Sequence, residues 1–234
     1  MKYVLILLCF GFSACQETEN KQAMDITMPP MGAQAITYLA LGDSYTIGEG
    51  VLAHERWPVQ LADALNEKGY EVSPPTIIAR TGWTTSDLTT AIEAAQINET
   101  YDLVSLLIGV NNQYRGLSIA QFRTELVELI DISIAFAGGD VQKFFMLSIP
   151  DWGVTPFAEG RDRDKISDEI DRFNEVIQQE TSKRNILLID ITEISRQPDP
   201  NAALLSSDKL HPAGKMYRLW VDKALPQLLE KINK

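Results

Sequence analysis

Ile36-Thr37-Tyr38-Leu39-Ala40-Leu41-Gly42-Asp43-Ser44-Tyr45-Thr46 is the stretch that decides the fold. The run Ile36–Leu41 is almost wholly apolar, so it predicts a strand buried on both faces; a half-solvated strand would alternate with polar residues. Gly42 then opens a turn, and Ser44 sits at the carboxyl end of the strand. Working outward, Thr76–Ala79, Leu103–Ile108, Lys143–Ile149 and Asn185–Asp190 read as further strands. Between them, Trp57–Lys68, Ser86–Ile97, Ile119–Phe136 and Asp164–Ser182 carry apolar residues at helical spacing. Pro212–Ile232 predicts a terminal helix with Pro212 in its first turn. Strands alternating with helices of this length predict an α/β fold, in which a flavodoxin-like parallel sheet of about five strands lies between two helical layers, α/β/α. In such sheets ligands bind beyond the carboxyl ends of the strands.

The chain has 234 residues and a formal net charge of −11. That balance, with no basic patch interleaved with aromatics, argues against a nucleic-acid partner. One domain over residues 35–234 accommodates all the predicted elements.

The amino terminus reads as a targeting signal. Lys2 supplies a basic start, and Tyr3–Phe12 is an apolar run of signal-peptide length. Ser13, Ala14 and Cys15 follow, small residues before a cysteine, and resemble a bacterial lipobox, with Phe12 where leucine is usual. The expectation is a signal peptide over residues 1–14, a lipidated Cys15 and a tether over residues 15–34, which would hold the domain to a membrane in the cell envelope. Cys9 would leave with the signal, so no disulfide is expected.

Four positions carry chemistry. Ser44 lies near the start of a helical segment, where free N–H groups favour developing negative charge. Alone, such a serine is more often a helix cap. A serine nucleophile needs a base. The chain has two histidines. His211, in Asp208-Lys209-Leu210-His211-Pro212, has a carboxylate three residues earlier that can fix its tautomer and stabilise its charged form. An imidazole with an ordinary pKa of about 6.5 takes and returns protons at neutral pH. His54 has no such partner and reads as an exposed loop residue. Gly82 follows the second strand and Asn111 the third; a backbone N–H at a glycine and a side-chain amide are both candidate oxyanion donors. Taken singly, Gly82 reads as a turn residue and Asn111 as a loop residue.

In order, Ser44 in Gly42-Asp43-Ser44, Gly82, Asn111 in Gly109-Val110-Asn111-Asn112 and His211 in the DxxHP segment resemble the four blocks of the SGNH (GDSL) hydrolases. The resemblance spans about residues 36–220. It implies the SGNH hydrolase fold, a Ser44–His211–Asp208 triad, and an oxyanion hole from Ser44 N–H, Gly82 N–H and the Asn111 amide. One position departs: the third block usually ends in Asp, where this chain has Asn112. That Asp is not a triad member, so activity is expected to survive.

The implied function is a serine esterase acting on carboxylic esters through an acyl-enzyme, with no metal or other cofactor. Short-chain, aryl, lysophospholipid and O-acetyl-glycan esters all remain open as substrates. An O-acyltransferase using the same triad, or a non-catalytic glycan-binding envelope lipoprotein, are the alternatives. Trp57, Trp83, Tyr114 and Trp152 lie near motif loops and are candidates to line an acyl or sugar site; packing is the commoner use of such residues.

Overall fold

The computed structural model describes residues 35–197 and 203–232. Cys15, the signal segment and the tether lie outside the described residues.

Five strands form one parallel sheet: β1 (Tyr38–Gly42), β2 (Thr76–Ala79), β3 (Leu103–Leu107), β4 (Phe144–Leu147) and β5 (Leu187–Ile189). Their order is β2-β1-β3-β4-β5. In register, Leu39 lies opposite Thr76 on one side and Val104 on the other. The order reverses between β1 and β3, and at such a switch point the connections leave in opposite directions and open a crevice. The helices are α1 (Ser44–Ile47), α2 (Trp57–Glu67), α3 (Thr85–Ala95), α4 (Val110–Tyr114), α5 (Ile119–Phe136), α6 (Arg163–Lys183), α7 (Thr192–Ser195) and α8 (Gly214–Ile232). α2 packs on α8, while α5 packs on both α3 and α6. These pairings make the two helical layers.

Burial follows position in the sheet. Every residue of β1, β3 and β4 is buried, as their apolar runs require. β2 and β5 are edge strands, and most of their residues are only partly covered. The expectation that all strands are buried on both faces therefore holds for the central three alone. Removing one large side chain from this centre would cost about 2–5 kcal/mol.

One boundary shifts for a physical reason. The terminal helix starts at Gly214, not at Pro212. Pro212 instead forms an antiparallel bridge with Leu205, which closes the loop that carries His211. Pro226 lies inside α8, a position the helical reading passed over. Two short helices, α1 and α4, stand just after β1 and β3 and are not among the helical stretches that apolar spacing predicts.

Candidate active site

Ser44 is the first residue of α1, immediately beyond β1. Gly42 makes that geometry possible. A β-carbon there would overlap the Thr46 side chain and lie 2.5 Å from the Leu107 carbonyl oxygen. With glycine, α1 folds closely back over β1 and β2. Asp43 caps α1, its Oδ1 accepting from the Tyr45 N–H at 3.0 Å. Asp43 is fully buried, and its Oδ2 has no hydrogen-bond partner among the described residues.

Burial pushes the Asp43 carboxyl up to about 7, against the lowering effect of backbone N–H donors. The folded state thus holds this proton up to about pH 7, whereas the unfolded chain releases it near 4. Across that interval the native state binds more protons, so Asp43 lowers stability as pH rises. Asp43→Asn keeps an oxygen for the cap and removes the charge. At pH 8 the variant is expected to be more stable than the parent, on the order of 2–4 kcal/mol. The gain should vanish near pH 4, which urea melts at the two pH values would show.

His211 is on the loop before α8 and is 7% exposed. Its Nδ1 lies 2.6 Å from Asp208 Oδ2. Asp208 Oδ1 accepts from the Ser206 hydroxyl at 2.7 Å and from the N–H groups of Leu210 and His211 at 2.9 Å each. Burial pushes the Asp208 carboxyl up, but the donors from His211, Ser206 and the backbone outweigh it and hold the group at about 2. The loop closes on itself: Ser206 N–H donates to the His211 carbonyl, and Lys209 N–H to the Ser206 carbonyl. Lys209 takes φ of 60°, the left-handed region that a side chain rarely adopts without support from its surroundings. The Tyr45 ring packs against the imidazole, with the two ring centroids 5.3 Å apart.

Gly82 and Asn111 meet across the switch point. Gly82 has φ of 85°, and an added β-carbon would touch only Arg115 Nη2, at 3.9 Å. Glycine is needed there for the backbone angle and not for space. Asn111, in the first turn of α4, donates through Nδ2 to the Trp83 carbonyl at 2.9 Å. An amide has a second hydrogen, which leaves one donor for the cleft. Arg115, at the end of α4, donates to the Gly82 carbonyl. So α4 grips the glycine loop at two successive carbonyls. Among the described residues neither the Ser44 nor the Gly82 N–H has a protein acceptor.

All four candidate positions, Ser44, Gly82, Asn111 and His211, line one cleft of about 200 Å³. Asp208 stands behind His211. Ser44 Oγ and the imidazole are not hydrogen-bonded to each other within 3.5 Å; such contacts often tighten only once substrate is bound. Tyr114 and Trp152 also line the cleft, as does Phe157. Trp152 is held by its indole N–H, which donates to Gln113 Oε1 at 2.7 Å. Trp57 does not take part: it is 1% exposed and packs edge-on against Phe145 in the core. Trp83 is half-buried against the core and offers only its carbonyl. His54 is exposed in a 3₁₀ turn, outside the cleft.

Asn112 has a defined job in place of the usual aspartate. It is fully buried, accepts from the Thr85 N–H at 3.1 Å, and donates to Thr85 Oγ1 at 2.6 Å. The Thr85 hydroxyl is then free to donate to Glu125. Donors and acceptors match along this chain only with an amide at 112. In Asn112→Asp, one hydroxyl hydrogen would face two carboxylates. The expected loss is about 1–3 kcal/mol at pH 8. The buried new carboxyl would have a raised pKa, so the loss should shrink on acidification. Thermal melts at pH 8 and pH 5 test this; equal losses at both would contradict it.

The model of the GDSL-like lipase/acylhydrolase family matches residues 40–219. No curated protein matches the chain significantly in sequence. Solved structures do match. TesA superposes with a TM-score of 0.66 at 20% identity, over 83% of this chain and 99% of its own. The esterase EstA from Pseudoalteromonas sp., inhibited by monoethylphosphonate, gives 0.64 at 20% identity, over 85% and 99%. The acetylxylan esterase Axe2 from Geobacillus stearothermophilus gives 0.62 at 20% identity, over 82% and 94%.

Proposed function

The chain belongs to the GDSL-like lipase/acylhydrolase family and is a carboxylic ester hydrolase, and on that premise we propose that Ser44, His211 and Asp208 carry the reaction through an acyl-enzyme. The observation that supports this reading most is the 2.6 Å contact of Asp208 with a His211 that shares its cleft with Ser44. Asp208 accepts the Nδ1 hydrogen, which leaves Nε2 as the basic nitrogen facing the cleft. Nε2 takes the Ser44 proton as Oγ bonds to the ester carbonyl carbon. The negative oxygen that forms is held by Ser44 N–H, Gly82 N–H and the second Asn111 amide hydrogen. Collapse breaks the bond to the alcohol, which leaves with the proton from His211. Water then attacks the acyl group, His211 taking its proton, and releases the acid and free Ser44.

The cleft is small, which favours short acyl groups on the Ser44 side. Aryl acetates and O-acetylated sugars fit this reading, and acetylxylan is the substrate class in the name of one structural neighbour. The Cys15 anchor belongs to the same proposal: a lipidated tether would place this cleft in the cell envelope. Labelling with an alkynyl fatty acid that is lost in Cys15→Ser supports the anchor, and labelling retained in that variant refutes it.

Hydrolysis and acyl transfer are separated by product analysis. With an acetyl ester, stoichiometric free acetate should appear whether or not a xylo-oligosaccharide acceptor is present. Acetate release that falls as acetylated acceptor accumulates would favour the transferase.

A further inference from the structure

One wall of the cleft carries a charge that the acyl chemistry does not use. Tyr114, Trp152 and Phe157 form this wall, with Tyr114 and Phe157 rings meeting Trp152 edge-on at 5.4 and 6.1 Å. The Arg161 guanidinium carbon lies 5.3, 5.2 and 5.5 Å from the three ring centroids. Arg161 is exposed, and among the described residues its guanidinium makes one hydrogen bond, donating to the Tyr114 hydroxyl at 3.3 Å. Arg115, Arg123, Arg184, Arg196 and Arg218 each lie within 4 Å of a carboxylate. Among the described residues no carboxylate pairs with Arg161.

Arg56, Arg80, Arg163 and Arg172 share that lack of a carboxylate partner among the described residues; Arg161 is set apart by the three rings it lies against at the cleft wall. The rings hold the guanidinium by cation–π contact without neutralising it. They also leave it most of its donor fork, which matches carboxylate and phosphate oxygens. Tyr114 and Phe157 are 46% and 40% exposed, so flat apolar surface is available beside the charge. We propose that this wall selects esters whose non-reacting part is a ring bearing an anionic group, a carboxylate or a phosphate, read by Arg161. The proposal rests on the reading of this cleft as the ester site.

The test is a set of para-substituted phenyl acetates: the carboxylate 4-acetoxybenzoate, its neutral methyl ester, 4-acetoxyphenyl phosphate, and the cationic trimethylanilinium analogue. Each kcat/KM is divided by the rate of hydroxide-catalysed hydrolysis, which removes leaving-group differences. The parent should favour one or both anionic esters over the methyl ester by about three- to tenfold, and disfavour the cation. Raised salt should compress these ratios. Arg161→Met should bring the anionic-to-neutral ratio close to one, and Arg161→Lys should restore part of it. The ratio is the readout because loss of ring packing falls on all substrates alike. The two anionic esters show whether carboxylate or phosphate is preferred. A parent indifferent to charge, a preference for the cation, or a ratio unchanged in Arg161→Met would overturn the proposal. Failure of the parent to hydrolyse even the neutral ester would instead count against the ester-site reading.

Discussion

Ser44→Ala is expected to lower kcat for p-nitrophenyl acetate by about 10⁴-fold or more, while leaving the fold intact. The size of the effect follows from covalent chemistry: without Oγ there is no acyl-enzyme, and the remaining donors can only assist water. The absence of a structural cost follows from the surroundings. Among the described residues no group depends on Ser44 Oγ for a hydrogen bond, and the cap of α1 belongs to Asp43. The backbone N–H of residue 44 is retained in the variant. Substrate should therefore still bind, and KM should change little. Initial rates and a melting curve on the same preparation check both halves. A variant that keeps a tenth of the parent rate would rule Ser44 out as nucleophile.

Asp208→Asn should cost about 10⁴-fold in kcat, nearly as much as loss of the serine. The side chain at 208 accepts from the imidazole, the Ser206 hydroxyl and two backbone N–H groups. An asparagine oxygen can still accept from the backbone, so the loop should keep its shape. Its amide, however, would donate to Nδ1 and force the proton to Nε2. The nitrogen facing Ser44 would then be unable to accept. The depressed Asp208 carboxyl adds a pH argument. A carboxyl held at about 2 stays ionised until the pH falls through that value. Loss of activity on mild acidification, at pH 5 or 6, is therefore not due to Asp208. Steady-state kinetics of the variant, with the KM compared, would test the assignment; a large rise in KM at constant kcat would contradict it.

How far the site could be read in advance depends on how local its causes are. The central strands were legible because burial on both faces leaves an unbroken apolar run, as in Leu39–Leu41 and Leu103–Leu107. The Asp208–His211 pair was legible because three residues span one tight loop. α1 and α4 were not, since helices of four and five residues show no periodicity. For Trp57 the sequence leaves lining and packing both open, for a different reason. Its neighbour Phe145 is 88 residues away, and only the sheet brings them together. The same holds for Arg115 at the Gly82 carbonyl and for the Thr85–Glu125 chain that explains Asn112. The aromatic wall with Arg161 joins the end of α4 at Tyr114 to two short 3₁₀ turns at Trp152 and Phe157, where no sequence period marks a common face.

The central claim is that ester cleavage passes through a covalent bond to Ser44 Oγ, and mass spectrometry of the protein treated with a reactive alkyl phosphonate tests it most directly. One adduct per chain is predicted, on the peptide containing Ser44, formed in step with loss of esterase activity and absent in Ser44→Ala. Full inactivation with the adduct on another residue, or equal labelling of Ser44→Ala, would contradict it.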